Sequence, residues 1–199
     1  VRAQFRDAGH ILGSAMVEFE RKGRKLLFTG DLGNDHAPLA TRTETVEDAT
    51  YVVMESVYGD RNHEGTEVRR EVLEHAIEYT RRKKGTLLIP AFSLERTQIL
   101  LYEISALLAA HKIDPLPVYL DAPLAIRLMG VYKNYPAYLN SEVQARMHEG
   151  DPFTFKGLKI TASVADSRAI YTAGNPKVII AGSGMSSGGR IRSHERTFL

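Results

Sequence analysis

The sequence predicts an α/β fold, in which a parallel, doubly wound sheet flanked by helices follows a stretch of antiparallel strands. Three observations carry this. From about residue 66 onward, short apolar runs alternate with amphipathic helical stretches, as strand–helix–strand units around a parallel sheet require. Before residue 60, apolar residues recur with period two on either side of a basic, glycine-containing loop, which is the pattern of a hairpin. Finally, apolar runs end in polar turns at FTGDLG (28–33), VVMESVYGDR (52–61), GTLLIPAFSLERTQ (85–98), VYLDAPLA (118–125) and VIIAGSGMSSGGR (178–190). Ligands of open α/β sheets sit at such strand ends, so these ends are expected to converge on one cleft containing Glu55, Arg96 and Ser183.

In chain order, RAQFR (2–6) is a short strand and Asp7-Ala8-Gly9-His10 a polar turn. SAMVEFE (14–20) places Ala15, Val17 and Phe19 on one face. Arg21-Lys22-Gly23-Arg24 is the hairpin loop, and Lys25 to Thr29 the return strand, ending at Gly30-Asp31-Leu32-Gly33. A polar loop over 34–50 leads to Tyr51 to Met54, whose apolar run predicts a buried strand ending at Glu55. Residues 66–83 carry Val68, Val72, Leu73, Ala76 and Ile77 at helical spacing, with cations in the last turn and Gly85 beyond. Strand 86–92, helix 94–110, strand 117–121, a helix over 123–134 opened by Pro123 and a short helix over 141–148 follow. Strand 158–163, a helical stretch near 165–172 broken at Gly174-Asn175-Pro176, strand 177–182 and a last helix over 188–198 complete the pattern. The natural domain cut falls near residues 56–62.

The 199 residues are 43% hydrophobic and 25% charged, an ordinary globular balance with enough chain for a substantial core. No apolar run approaches the roughly 18 residues of a membrane helix, so no membrane partner is expected. There is no Cys, hence no disulfide, thiolate nucleophile or thiolate metal site, which fits a cytoplasmic location. The net charge of +2 is too mild to argue for nucleic-acid binding by itself. With Trp absent, any base stacking would fall to Tyr and Phe. The chain opens at Val1 directly into strand-like alternation and reads as a piece of a longer protein.

Chemistry-bearing residues stand at the strand ends. His10 follows a glycine in a turn, and Asp31 lies between glycines at a strand end. An imidazole and a carboxylate so placed suit zinc or a similar divalent ion, with the glycines giving backbone access to it; a hydrogen-bonded structural histidine is the competing reading. Two ligands do not close a catalytic zinc site, and no HxH, HxxxH or HxxEH spacing occurs. Glu55 could hold an imidazole or an ion, or simply cap its strand or pair with Arg61. Arg96 heads a helix against the dipole, which suggests an anionic partner (phosphate, Glu95 or Asp60) unless the side chain is merely solvated. GSGMSSGGR (182–190) is neither a Walker loop nor a dinucleotide fingerprint. Its N–H groups could cradle a phosphate or only make a tight turn. Arg190, Arg192 and Arg196 add cations at that end.

Taken in order, DAGHILGSAMVEF, LLFTGDLG, ESVYGDRNH, IPAFSLERTQILLYEI, VYLDAPLA and AGSGMSSGGRI closely resemble the metallo-β-lactamase-fold RNA hydrolases that carry a β-CASP domain. GDLG alone is weakly specific, whereas the ordered series is strongly so. The resemblance implies that residues 1–58 are the end of the first segment of a metallo-β-lactamase αββα domain and that 59–199 are an incomplete β-CASP domain. It implies that His10 binds one zinc of a pair, that Asp31 bridges the two, and that Glu55 orients a histidine which protonates the leaving oxygen. Arg61, Arg96, Ser183 and Gly184 would line the substrate cleft. The implied activity is zinc-dependent RNA hydrolysis in RNA processing or decay, with RNA as the partner and a homodimer of the intact protein left open. The alternatives are a non-catalytic scaffold of an RNA-processing complex and a DNA-directed relative. The family's HxHxDH motif and its downstream histidines do not occur in the chain. This stretch by itself is therefore expected to be inactive, to hold zinc poorly, and to show exposed apolar edges or to oligomerise around residues 1–55.

Overall fold

The computed structural model describes residues 1–34, 36–61 and 66–199. Asn62 and His63 of the ESVYGDRNH stretch thus lie outside the described residues. By compactness the chain falls into two units, Val1–Gly65 with Tyr135–His148, and Thr66–Asn134 with Glu149–Leu199.

The first unit holds a four-stranded sheet in the order β1 (Arg2–Asp7), β2 (Ala15–Arg21), β3 (Arg24–Phe28), β4 (Tyr51–Val53). The first three strands pair antiparallel. Lys22 and Gly23 both take positive φ, 50° and 73°, which matches the two-residue turn whose twist suits a hairpin. β4 departs from expectation in two ways: it pairs parallel to β3, and all three of its residues are exposed. A three-residue apolar run at a sheet edge does not reveal what covers it, so apolar character did not translate into burial. The pleat explains Tyr51 and Val53, while Val52, beside Leu27, is exposed because β4 is the edge strand. Register aligns Phe5, Val17, Phe28 and Val53 across one face, and Ala3, Phe19, Leu26 and Tyr51 beside them. Phe5, Phe19, Phe28, Tyr51 and Val53 are all exposed there, as expected for residues 1–55. The opposite face turns Met16 and Leu27 inward, where they pack with Ala8, Leu32, Val46 and Ala49. The helix α4 (Ser141–Glu149) belongs largely to this unit. The Asn140 amide before it bonds the carbonyls of Ala37 and Pro38, while Ala40 and Leu139 form a β-bridge.

The second unit holds a wholly parallel sheet in the order β5 (Thr86–Pro90), β8 (Lys177–Ala181), β6 (Val118–Asp121), β7 (Leu158–Ile160). Every residue of β6 and β8 is buried, so both faces of the sheet centre are covered, as a parallel sheet requires. On one face Tyr119, Ile179 and Ala181 pack with Ile170 and Ile191, and with Leu88 and Phe198 alongside. Strand alternation sends Leu120, Val178 and Ile180 to the other. The surrounding helices are α1 (Thr66–Lys83), α2 (Arg96–Ala109), α3 (Pro123–Asn134), α5 (Val164–Ala169) and α6 (Ile191–Phe198). α1 ends as its cations and Gly85 suggest, but Lys84 takes the left-handed conformation, φ 51°. The Gly85 N–H then reaches the Thr80 carbonyl and closes the helix. Past α5 a 3-10 turn over Ile170–Thr172 continues the predicted helical stretch. No helix among the described residues is long and apolar enough to cross a membrane.

Candidate functional site

In the first unit, His10 and Glu55 both bond the Leu32 peptide, and Asp31 precedes Leu32 in the chain. The Leu32 N–H donates to Glu55 Oε1 at 3.0 Å, and the Leu32 carbonyl lies 3.3 Å from His10 Nδ1. The turn that carries His10 is closed by Ser14 Oγ, which accepts the N–H groups of His10 and Ile11. Glu55 is tied to its strand end at both oxygens, since Oε2 accepts the Val57 N–H at 3.1 Å. The N–H groups of Leu32 and Val57 hold its carboxyl below the usual carboxylate range; burial opposes this and His10 adds to it. Of the roles open to Glu55, capping its strand end is thus visible. Arg61 lies instead beside Asp60, at 3.6 Å, and over the Tyr58 ring.

The glycines here do something other than make room for an ion. A Cβ on Gly33 would fall 1.7 Å from the Gly9 carbonyl oxygen, and one on Gly9 would fall 2.5 Å from the Thr43 nitrogen. They let backbone cross backbone and so bring His10 next to Leu32. Whether the local chemistry suits a metal can be tested on His10. A carbonyl on Nδ1 fixes the tautomer that leaves Nε2 as a ligand, the usual outer-shell arrangement of metal-binding histidines. Asp31, the residue before Leu32, is exposed. The imidazole and carboxylate therefore suit a borderline divalent ion. Among the described residues, however, no group of three or more possible ligands stands together.

In the second unit the carboxyl ends of four parallel strands form one edge. After β5, residues 92–95 make a tight turn held from α2. The Thr97 hydroxyl and N–H both donate to the Phe92 carbonyl, and Gln98 Nε2 donates to the Ser93 carbonyl. Glu95 adopts φ 62° and is buried, its carboxylate accepting the Tyr132 hydroxyl. Arg96 therefore does not take Glu95 as its counter-ion. It is exposed and close enough to Arg69 and Arg70 that its charge lowers the Arg69 pKa, after burial, which lowers it most, and Glu103, which raises it. Arg70 pairs with Glu103 at 2.5 Å.

After β8 the glycine–serine turn folds back on itself. The Ser183 N–H donates to the Gly188 carbonyl, the Ser186 N–H to the Ser183 carbonyl and the Ile191 N–H to the Gly182 carbonyl. Gly189 has φ 73°, and a Cβ there would meet the Gly182 oxygen at 2.3 Å. The N–H groups of Gly184 and Met185 have no acceptor among the described residues. Ser183, Gly184 and Arg96 therefore share one sheet edge. Glu55, His10, Asp31 and Arg61 belong to the first unit.

A buried polar network under this edge was not anticipated. Asp121 ends β6 fully buried, and its Oδ1 accepts Arg190 Nη1 at 2.6 Å and Thr161 Oγ1 at 2.8 Å. Its Oδ2 contacts Ser167 Oγ at 2.5 Å and His194 Nε2 at 2.6 Å. Burial alone would raise the Asp121 carboxyl, but donors from His194, Ser167, Thr161 and Arg190 outweigh it and hold it at about 2. Arg190 also donates to the Thr161 carbonyl, so it anchors the turn it follows rather than adding charge to it. A signal existed in the spacing: Arg190 and His194 are four apart, on one helix face.

A model of the β-CASP domain matches residues 97–199, just over half of the chain. The chain belongs to the β-CASP family. Relatives extend the match to the first unit. Ribonuclease TTHA0252 of Thermus thermophilus is 39% identical over 192 residues, covering 96% of this chain and 44% of that protein. Cleavage and polyadenylation specificity factor subunit 3 of Dictyostelium discoideum is 31% identical over 94% of this chain and 24% of its own length. An RNase J-like protein of Methanocaldococcus jannaschii is 30% identical over 96% and 44%. The β-CASP chain thus spans less than half the length of these relatives. The family is a metal-dependent one of the metallo-β-lactamase type, and two of these relatives are named as ribonucleases.

Proposed function

We propose that the protein carrying this chain is a zinc-dependent phosphodiesterase that cleaves RNA. The observation that carries this is the joining of His10 and Glu55 through the Leu32 peptide, one residue after Asp31, on a chain similar over nearly its whole length to a protein named a ribonuclease. His10 Nε2 and Asp31 would hold zinc together with ligands from outside this stretch. A zinc ion held there would supply Lewis-acid polarisation of a phosphoryl oxygen and a lowered pKa for water. Glu55, kept ionised by two backbone N–H groups, is an acceptor able to orient an imidazole donor. Arg96 and the N–H groups of Gly184 and Met185 would hold the RNA backbone, a cation and main-chain dipoles acting on a phosphate charge. Asp121 and Arg190 keep that turn in place without touching substrate.

The test is cleavage of matched, labelled single-stranded RNA and DNA by the full-length protein, with and without a chelator. Chelator-sensitive RNA cleavage that is lost in His10→Ala and Asp31→Asn is expected. Cleavage of DNA alone would replace the reading with a DNA-directed one. RNA binding without cleavage of any substrate would replace it with a scaffold.

A further inference from the structure

We propose that the exposed ring of Phe92 is a stacking platform for one nucleobase, beside the phosphate held at the Ser183 and Gly184 turn. This rests on the RNA reading above and names a base-contacting position within it.

Phe92 stands two residues after β5, and its side chain is 53% exposed. Burying such a ring is ordinarily favourable, and the local backbone explains why it stays out. The Ala91 N–H is tied to the Ala181 carbonyl, and the Phe92 carbonyl takes both the N–H and the hydroxyl of Thr97. The main chain on either side of the ring is thus clamped to β8 and to α2, which fixes the direction in which the side chain leaves the backbone. It is also backed from one side. A Cβ on Gly184 would lie 2.7 Å from Phe92 Cδ2 and 2.9 Å from Cγ, so only glycine lets the turn press against the ring.

The surroundings select a nucleotide among possible occupants. The N–H groups of Gly184 and Met185 lack acceptors among the described residues, and the turn that carries them touches the ring. The exposed Arg96 heads the helix that holds the Phe92 carbonyl. An aromatic face, main-chain donors and a guanidinium at one strand end match a base joined to its phosphate. An apolar peptide would leave the donors unpaired, and inorganic phosphate would leave the ring uncovered. Stacking uses the π-face that every base has, so the position would tolerate any sequence.

The experiment is a coupling measurement on the full-length protein under chelation, so that RNA is bound and not cut. A short single-stranded RNA is compared with a series in which one nucleotide at a time is made abasic. One abasic position is expected to weaken binding to the unaltered protein by roughly 5- to 100-fold. Phe92→Leu should weaken binding of the complete RNA by a similar factor, add no further loss with the RNA abasic at that position, and keep its loss with the others. Phe92→Trp should bind like the unaltered protein. The proposal is overturned if Phe92→Leu binds every RNA normally, or if it loses the same factor with every member of the series, as a merely misfolded turn would. Failure of the unaltered protein to bind RNA at all would overturn the RNA reading as well.

Discussion

The two sheets of this chain treat their apolar residues in opposite ways. In β8 every side chain is buried, whichever face it points to. In the sheet of β1 to β4 one face is packed on Met16 and Leu27, while the other leaves Phe5 74% exposed in a row of apolar side chains. Apolar character therefore decides which residues can form a core. Burial depends on whether another layer lies against them. The candidate site residues follow the same division. The His10, Asp31 and Glu55 group stands on a sheet with one open face, and the edge carrying Ser183 and Arg96 is built on a sheet packed on both faces.

The largest expected effect breaks the network beneath that edge. Asp121→Ala removes the acceptor of Arg190 and His194 and leaves both half-buried or buried without it, which should cost about 3–5 kcal/mol in urea unfolding. A loss below about 1 kcal/mol would mean the network is ornamental. Ile179→Ala at the centre of the second sheet should cost about 2–5 kcal/mol. Val53→Ala on the open face should cost under about 1 kcal/mol. Equal losses at Ile179 and Val53 would erase the contrast between the sheets.

These contrasts also show what the sequence could and could not reveal. The helices over Thr66–Lys83 and Pro123–Asn134 were legible to the residue, because helical periodicity, terminal cations and Pro at the first position are local signals. The strands at 86–90 and 177–181 were legible from their apolar runs and breakers. The exposure of β4 was not, since three apolar residues look alike in a core and at an open edge. Nor was the Asp121, Arg190 and His194 network, whose members lie 69 and 73 residues apart and meet only because β6 and β8 are neighbours. Glu95 in a left-handed conformation was likewise invisible, because its φ is set by the Thr97 and Gln98 bonds and by Tyr132.

Acid tests the network of the second unit directly. Asp121 has its folded pKa lowered from 3.8 to about 2, so its contribution is complete above pH 4 and is lost as pH falls through that interval. The loss is on the order of 2 kcal/mol. An Asp121→Asn protein should lack this step in acid titrations followed by circular dichroism. The smallest effect on stability concerns the open face: Phe5→Ser should change unfolding by no more than about 0.5 kcal/mol. It should still reduce concentration-dependent association in sedimentation, because it interrupts the Phe5 to Val53 row.

The central claim is that the carboxyl edge of the second sheet is already shaped to hold an RNA backbone. Amide NMR of the chain titrated with a short single-stranded RNA tests it most directly. The account predicts that the largest saturable shifts fall on Phe92, Ser183, Gly184, Met185 and Arg96. Thr86 and Lys177, at the opposite ends of the same strands, should stay still. Shifts centred on Thr86 and Lys177, or none at Gly184 and Met185 while other amides saturate, would contradict it.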